Sequence, residues 1–389
     1  MELSDRPLEA ELAEIAEQAE PGRTAQLAVR HWGWDGRGGA TLEATGRELG
    51  GITRERVRQL CERLARRLGE TRAEAPALER ALVLAAHAAP TTAHGMARRL
   101  ADERISAQPF DPAGLLVAAS VLGRDPTFSL KSIKDVRVVL PDPPDPASDT
   151  VAVIAAVVDT ARAVVRRAGA ARVSEVTGKV AADLAVWVDD ELVTAVVSEP
   201  ADFVWLERRT GWFYLPSVAK NAVASRVVKV LSVTGAVGLA DLHAGIRRDE
   251  RMREFVMPEY ILAELCARLP GVAVEGSVVV AHEPQRPEDV LETTELTLVR
   301  ALREAGGEAG RHELERACLS AGMKLASFNN RIAYSPIVAD LGQGRYGLRG
   351  AGASGNGVGS SPWSADEAAR DEDVPRPGEL ASFRPPRRR

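Results

Sequence analysis

A chain of 389 residues is too long for one small core, and a hydrophobic share of 45% is enough to fill several. Aromatic residues make up only 4%, which suits small helical cores better than one large sheet. A formal net charge of −5 excludes a surface that is basic throughout, so any nucleic-acid contact must come from local patches.

The first stretch, MELSDRPLEAELAEIAEQAE, is acidic and periodic, unlike a secretion signal. The most apolar run, VAVIAAVVDTARAVV, is broken by Asp159 and Arg162 and is too short to span a membrane. The three cysteines, Cys61, Cys266 and Cys318, lie far apart without C-x-x-C spacing, which argues against a disulfide framework and against zinc ligation. The expectation is a cytoplasmic protein with no membrane contact.

Residues 41–68, TLEATGRELGGITRERVRQLCERLARRL, concentrate arginine on one short segment. Val57, Leu60, Cys61, Leu64 and Leu68 recur at helical spacing and mark a buried stripe, with Arg54, Arg58 and Gln59 opposite and Glu55 beside them. Thr53 is placed to cap this helix, and Glu55 sits in the first turn, where the helix dipole favours a carboxylate. A preceding helix after Thr41 is predicted to bury Leu42, Thr45 and Leu49. Gly46 would permit a close crossing, and Gly50-Gly51 supply the turn.

Such an arginine face is either a solvated helix surface or a surface for DNA. Arginine pairs with guanine, glutamine with adenine, and glutamate accepts from cytosine in the major groove. Arg56, Arg63, Arg66 and Arg67, with Thr53, would then meet phosphates and set register without reading sequence.

Residues 27–68 resemble region 4 of housekeeping-type bacterial sigma factors. The shared features are an aromatic-Gly-x-Asp-Gly loop at Trp32–Gly36, then TLE, GRELG and TRERVRQ. The resemblance covers about a tenth of the chain and implies a helix-turn-helix that reads promoter DNA. Carried over position by position, it makes Arg54, Glu55, Arg58 and Gln59 the base readers. Two departures stand out. The family turn reads Gly-apolar-Thr, whereas this chain has one residue more, Gly50-Gly51-Ile52-Thr53. Only 26 residues precede Leu27, so a complete sigma factor is not expected.

Beyond the head, a pattern of three helices and a β-like pair returns about every seventy residues, longer than a solenoid repeat. The clearest copy comes last: ELTLVRALREAG, GRHELERACLSAG, KLASFNNRIAYSP and IVADLGQGRYGLRG. The resulting fold class is mainly α: a sigma-region-4-like helix-turn-helix, then three or four tandem winged-helix-like units. The expected divisions are a head at 1–70, a weakly marked unit at 71–140 and a proline-rich linker at 141–150. Further units follow at 151–217, 218–286 and 287–349, with a disordered tail at 350–389.

In the last unit Lys324, Asn330 and Arg331, with Arg345 on the wing, form a second candidate DNA contact. The third helix of the 151–217 unit, DDELVTAVVSE, is acidic and would repel phosphate, so that unit suits spacing or protein docking better. HELER lacks the second histidine of a zinc-protease motif, and GASGNGVG lacks the lysine of a phosphate loop. No nucleophile–base pair stands out, so a non-enzyme without metal or cofactor is expected.

The leading expectation is a nucleoid-associated transcription regulator bound to double-stranded DNA, helped by homo-oligomerisation or by the last unit. The alternative is an adaptor that contacts RNA polymerase without reading promoter DNA. Reuse in a defence or mobile-element system rests on fold-level analogy alone.

Overall fold

A computed structural model describes residues 6–71, 73–144, 149–252 and 255–350. Residues 145–148 of the proline-rich linker and the tail from residue 351, expected to be disordered, lie outside the described residues. The chain is mainly helical, with small three-stranded antiparallel sheets.

Four helices come first: α1 (Leu8–Ala19), α2 (Arg23–Trp32), α3 (Leu42–Glu48) and α4 (Arg54–Glu70). α1 buries Leu8, Leu12, Ile15 and Ala16, one stripe at helical spacing. α4 buries Val57, Cys61, Leu64 and Leu68, while Leu60 is half-buried. α3 differs from expectation: Thr45 and Gly46 are buried, but Leu42 and Leu49 only partly. The reason is that α3 makes its closest approach at Gly46, where a β-carbon would lie 2.4 Å from the Ile52 carbonyl oxygen.

Next come α5 (Pro76–Ala88), β1 (Thr91–Thr92), α6 (Ala93–Asp102), α7 (Pro112–Val121), β2 (Phe128–Ile133) and β3 (Val136–Pro141). The same order returns as α8 (Thr150–Ala168), β4 (Ala171–Arg172), α9 (Val173–Leu184), α10 (Asp190–Val197), β5 (Val204–Glu207) and β6 (Trp212–Tyr214). It returns again as α11 (Ala222–Thr234), β7 (Ala236–Gly238), α12 (Leu239–Arg248), α13 (Glu259–Cys266), β8 (Val272–Glu275) and β9 (Val278–Ala281). After the short α14 (Pro287–Val290), a fourth copy follows. It comprises α15 (Thr293–Glu304), β10 (Glu308–Gly310), α16 (Arg311–Ser320), α17 (Leu325–Tyr334), β11 (Val338–Gly342) and β12 (Arg345–Leu348).

In every copy the last strand is central and pairs with both others. The strand between the first two helices has only two or three residues. So short a segment carries no periodic signal, and only pairing with the hairpin makes it a strand. In the second copy Trp212 is buried, and Trp205 meets Phe203 edge-on at 4.9 Å.

The buried side chains form two cores, one from Leu8 to Val139 and one from Ile133 to Leu348. A boundary at residue 70 would therefore cut through a continuous core. α7, PAGLLVAASV, is apolar nearly all round and is buried under α2, α4 and α5. At its start a β-carbon on Gly114 would lie 2.5 Å from the Gly33 carbonyl oxygen, so the two backbones touch. Buried Glu11 of α1 accepts from the Ala77 and Leu78 amides at 2.9 and 3.0 Å and so caps α5 from outside the helix. Asp111 caps α7 through the Ala113 amide and takes two 2.8 Å bonds from Arg137. Burial pushes the Asp111 carboxyl up, but these bonds outweigh it and hold the group below its ordinary range.

Later units stack in series. α10 packs on β1, and α13 packs on β5. Lys229 of α11 meets the buried Glu295 of α15 at 2.8 Å. Buried Arg349 donates to the Pro336 and Val338 carbonyls at 2.9 and 2.8 Å and pairs with Asp241 of α12.

Glu199, just after α10, is less well served. Burial pushes its carboxyl above the ordinary range against help from Thr92 and His94, and its Oε2 has no hydrogen-bond partner. A raised carboxyl contributes stability below the ordinary glutamate pKa and loses it as pH rises through the raised value. Glu199→Gln is therefore expected to raise Tm by about 2 °C near pH 8 and to change little near pH 4, measured by thermal melts at both.

Candidate nucleic-acid interface

The turn between α3 and α4 is built from both sides. Gly50 and Gly51 take φ of 120° and 66°, conformations that favour glycine. Arg23 of α2 donates to the Leu49 and Gly50 carbonyls at 3.0 and 2.7 Å, satisfying the exposed C-terminal end of α3. A β-carbon on Gly50 would lie 2.0 Å from that guanidinium. Nothing in the sequence around Arg23 announces this role. The Trp32-Trp34 loop packs inward, the two rings 4.7 Å apart and Trp34 fully buried.

α4 begins at Thr53, whose hydroxyl accepts from the Arg56 amide at 3.3 Å. That bond caps the helix, so Thr53 has a structural role whatever else it meets. The four residues expected to read bases are all exposed on the first two turns. Three of them form one network. Arg58 reaches Glu55 through Nε and Nη2, at 3.0 and 2.6 Å, and Glu62 through Nη1. Gln59 donates to Glu55 at 3.1 Å. The Arg58 and Gln59 bonds, with Arg54 nearby, hold Glu55 at about 2, while the bonds to Glu55 and Glu62 hold Arg58 above its ordinary value. Glu55 is thus an anion at any ordinary pH. Arg58 must leave two carboxylates before it can meet a base.

The residues expected to meet phosphates divide. Arg63 pairs with Glu20, the residue that ends α1, and its bonds hold that carboxyl below the ordinary range. Arg67 donates to the Ala19 carbonyl at 2.8 Å and stands 3.7 Å from Glu20. Both therefore brace α4 against the negative end of α1, a structural role that the sequence pattern did not announce. Arg56 and Arg66 are exposed and have no partner among the described residues.

The second candidate contact also divides. Arg331 turns inward, donating to the Thr294 hydroxyl at 2.9 Å and pairing with Glu292, 3.6 Å from Glu295. Arg345 pairs with Glu308 across the sheet at 3.1 Å. Carboxylates of their own unit thus hold both arginines, which the sequence pattern did not reveal. Lys324, which directly precedes α17, and Asn330 on α17 stay exposed, Lys324 beside exposed Leu325.

A polar cavity of about 460 Å³ lies between α11, α15 and α17. Its lining pairs Arg226 with Asp249 at 2.7 Å and Lys229 with Glu295, so it offers no net field to an anion. Among the described residues no group of three or more His, Cys, Asp or Glu side chains is placed to hold a metal ion. The three cysteines are buried and free, and burial pushes Cys61 to about 11 and Cys266 to about 12. No described helix is long and apolar enough to cross a membrane.

Comparison with known proteins adds no relative: no family model matches the chain, and no curated protein matches it.

The Gly46 crossing can be tested by substitution. Gly46→Ala is expected to destabilise the first core by about 1–3 kcal/mol in urea unfolding, because the clash is with backbone. An unchanged midpoint would mean that α3 and α4 are not locked at this point.

Proposed function

We propose that this protein binds double-stranded DNA through the exposed N-terminal half of α4, in the manner of sigma factor region 4, and regulates transcription. The observation that carries the reading is an accessible polar face on the second helix of a tight two-helix turn. Arg54, Arg56, Arg58 and Gln59 are all exposed on the first two turns of that helix, and Arg66 is exposed further along. Winged-helix-like units, on this reading, follow the head and position it. Their third helices α7, α10 and α13 pack on other parts of the chain, whereas none of the larger inter-unit contacts involves α17. One helix-turn-helix buries too little surface for tight specific binding, so a second contact at Lys324 and Asn330, or a second copy of the chain, would complete the site.

The carboxylates around Arg58 give the reading a testable energetic signature. Both ion pairs are exposed and screened by solvent, so each is weak and DNA can replace it. A second reading draws on the same network: with Arg58, Arg63 and Arg67 held internally, the head would serve as an RNA polymerase adaptor that does not read DNA.

Fluorescence anisotropy on random and promoter-like duplexes at two salt concentrations separates the two. Binding is expected to weaken steeply with salt and to be lost in Arg54→Ala/Arg58→Ala. Arg58→Ala alone is expected to cost about 1–3 kcal/mol and to relax preference at one base. Absence of binding at low salt, or binding untouched by the double substitution, would overturn the DNA reading and favour the adaptor.

The two classes of arginine should also separate. Arg66→Ala is expected to lower duplex affinity on every sequence and reduce the salt slope by about one, with Tm unchanged. Arg63→Ala is expected to lower stability by about 0.5 kcal/mol and leave the salt slope intact. The reverse assignment would mean that Glu20 releases Arg63 to the DNA.

A further inference from the structure

The turn between α9 and α10 exposes apolar surface where solvent would not normally be left in contact with it. Trp187 is 84% exposed, Val186 41% and Leu184 37%. Every residue from 182 to 187 is exposed. The backbone enforces this. α9 ends at Ala185, which takes the left-handed conformation at φ 55°, and the Val186 amide folds back to the Ala181 carbonyl at 3.3 Å. Val188 is buried on the other side. Trp187 is therefore held outward between a fixed turn and a buried anchor.

The surroundings are acidic. Between residues 175 and 191 lie five carboxylates and a single lysine, and Lys179 is paired with Glu175. Two of the acids are fixed in place: Asp189 caps α10 through the Glu191 amide at 3.1 Å, and Asp190 accepts from the Thr177 hydroxyl. Arg98 and Arg99 of α6 line the neighbouring groove with these acids but reach none of them at ion-pair distance.

We infer that this turn is a docking site for a different protein, one that offers an apolar pocket for the Trp187 indole inside a rim of lysine or arginine. A rigidly presented tryptophan is a typical centre for such a contact. The acidic rim repels nucleic-acid phosphate and anionic lipid, which argues against base stacking or a membrane. The basic helix α4 of a second copy is a poor recipient, because its exposed side chains from Arg54 to Arg67 are all polar. The inference does not depend on DNA binding by the head.

The test uses the full chain and a fluorescein-labelled synthetic helix with leucine on one face and lysine on the other. The same helix with glutamate for lysine and an oligothymidylate serve as controls. The basic helix is expected to bind and to weaken with salt, while the acidic helix does not bind. Trp187→Ala should raise Kd at least about tenfold with Tm and duplex binding unchanged, and Asp183→Asn/Glu191→Gln should weaken binding mainly at low salt. Failure of the basic helix to bind, or equal binding by Trp187→Ala, overturns the proposal. Oligothymidylate binding that depends on Trp187 would assign the indole to base stacking instead. Light scattering that shows a dimer lost in Trp187→Ala would assign the surface to a second copy.

Discussion

The carbonyl oxygen of Gly33 lies 2.5 Å from the place where a side chain on Gly114 would begin, and that backbone contact decides where the arginine-rich helix stands. It ties the Trp32-Trp34 loop to the start of α7, and α2 and α4 close over the rest of that helix. Around the contact, Glu11 caps α5 and Asp111 joins Arg137 to the start of α7. These polar bonds satisfy helix ends that close packing would otherwise bury without partners. The head and the first repeat thus share one core, and a side chain at Gly114 would have to part them.

A consequence is that one face of α4 belongs to the core and the other to solvent, with the charged groups sorted between them. Carboxylates do much of the sorting. Glu20 draws Arg63 and Arg67 toward α1, and Glu55 and Glu62 hold Arg58 over its own helix. In the last repeat Glu292 and Glu308 do the same for Arg331 and Arg345. A count of arginines therefore overstates the positive surface available to a phosphate backbone. Within the proposed DNA reading, affinity depends on how easily these exposed pairs exchange one anion for another.

The serial packing of the repeats has a related effect. Each of α7, α10 and α13, the third helix of its unit, lies against a neighbouring element and joins units together. Ion pairs with one buried member reinforce the later junctions, buried Glu295 meeting Lys229 and buried Arg349 meeting Asp241. Removing Asp241 would leave the buried Arg349 guanidinium without its counter-charge, a cost above that of losing a fully exposed pair. The repeats thus behave as a connected support rather than as free beads.

Much of this architecture was legible in the residues alone. The buried stripe Val57-Cys61-Leu64-Leu68, the Thr53 cap, the Gly46 crossing, the Gly50-Gly51 turn and the recurring helices with a hairpin all leave local or periodic traces. Helical spacing and steric demands act over a few residues, so sequence by itself determines them. Only the tertiary structure decided which arginines face water, where the two-residue strands pair, and that the first core runs past residue 70. Those outcomes rest on partners far apart in the chain, such as Glu20 with Arg63, Glu11 with the start of α5, and Asp241 with Arg349. A charged side chain looks the same in sequence whether its counter-ion is water, a neighbour or a distant helix end, because the pairing depends on distance in space.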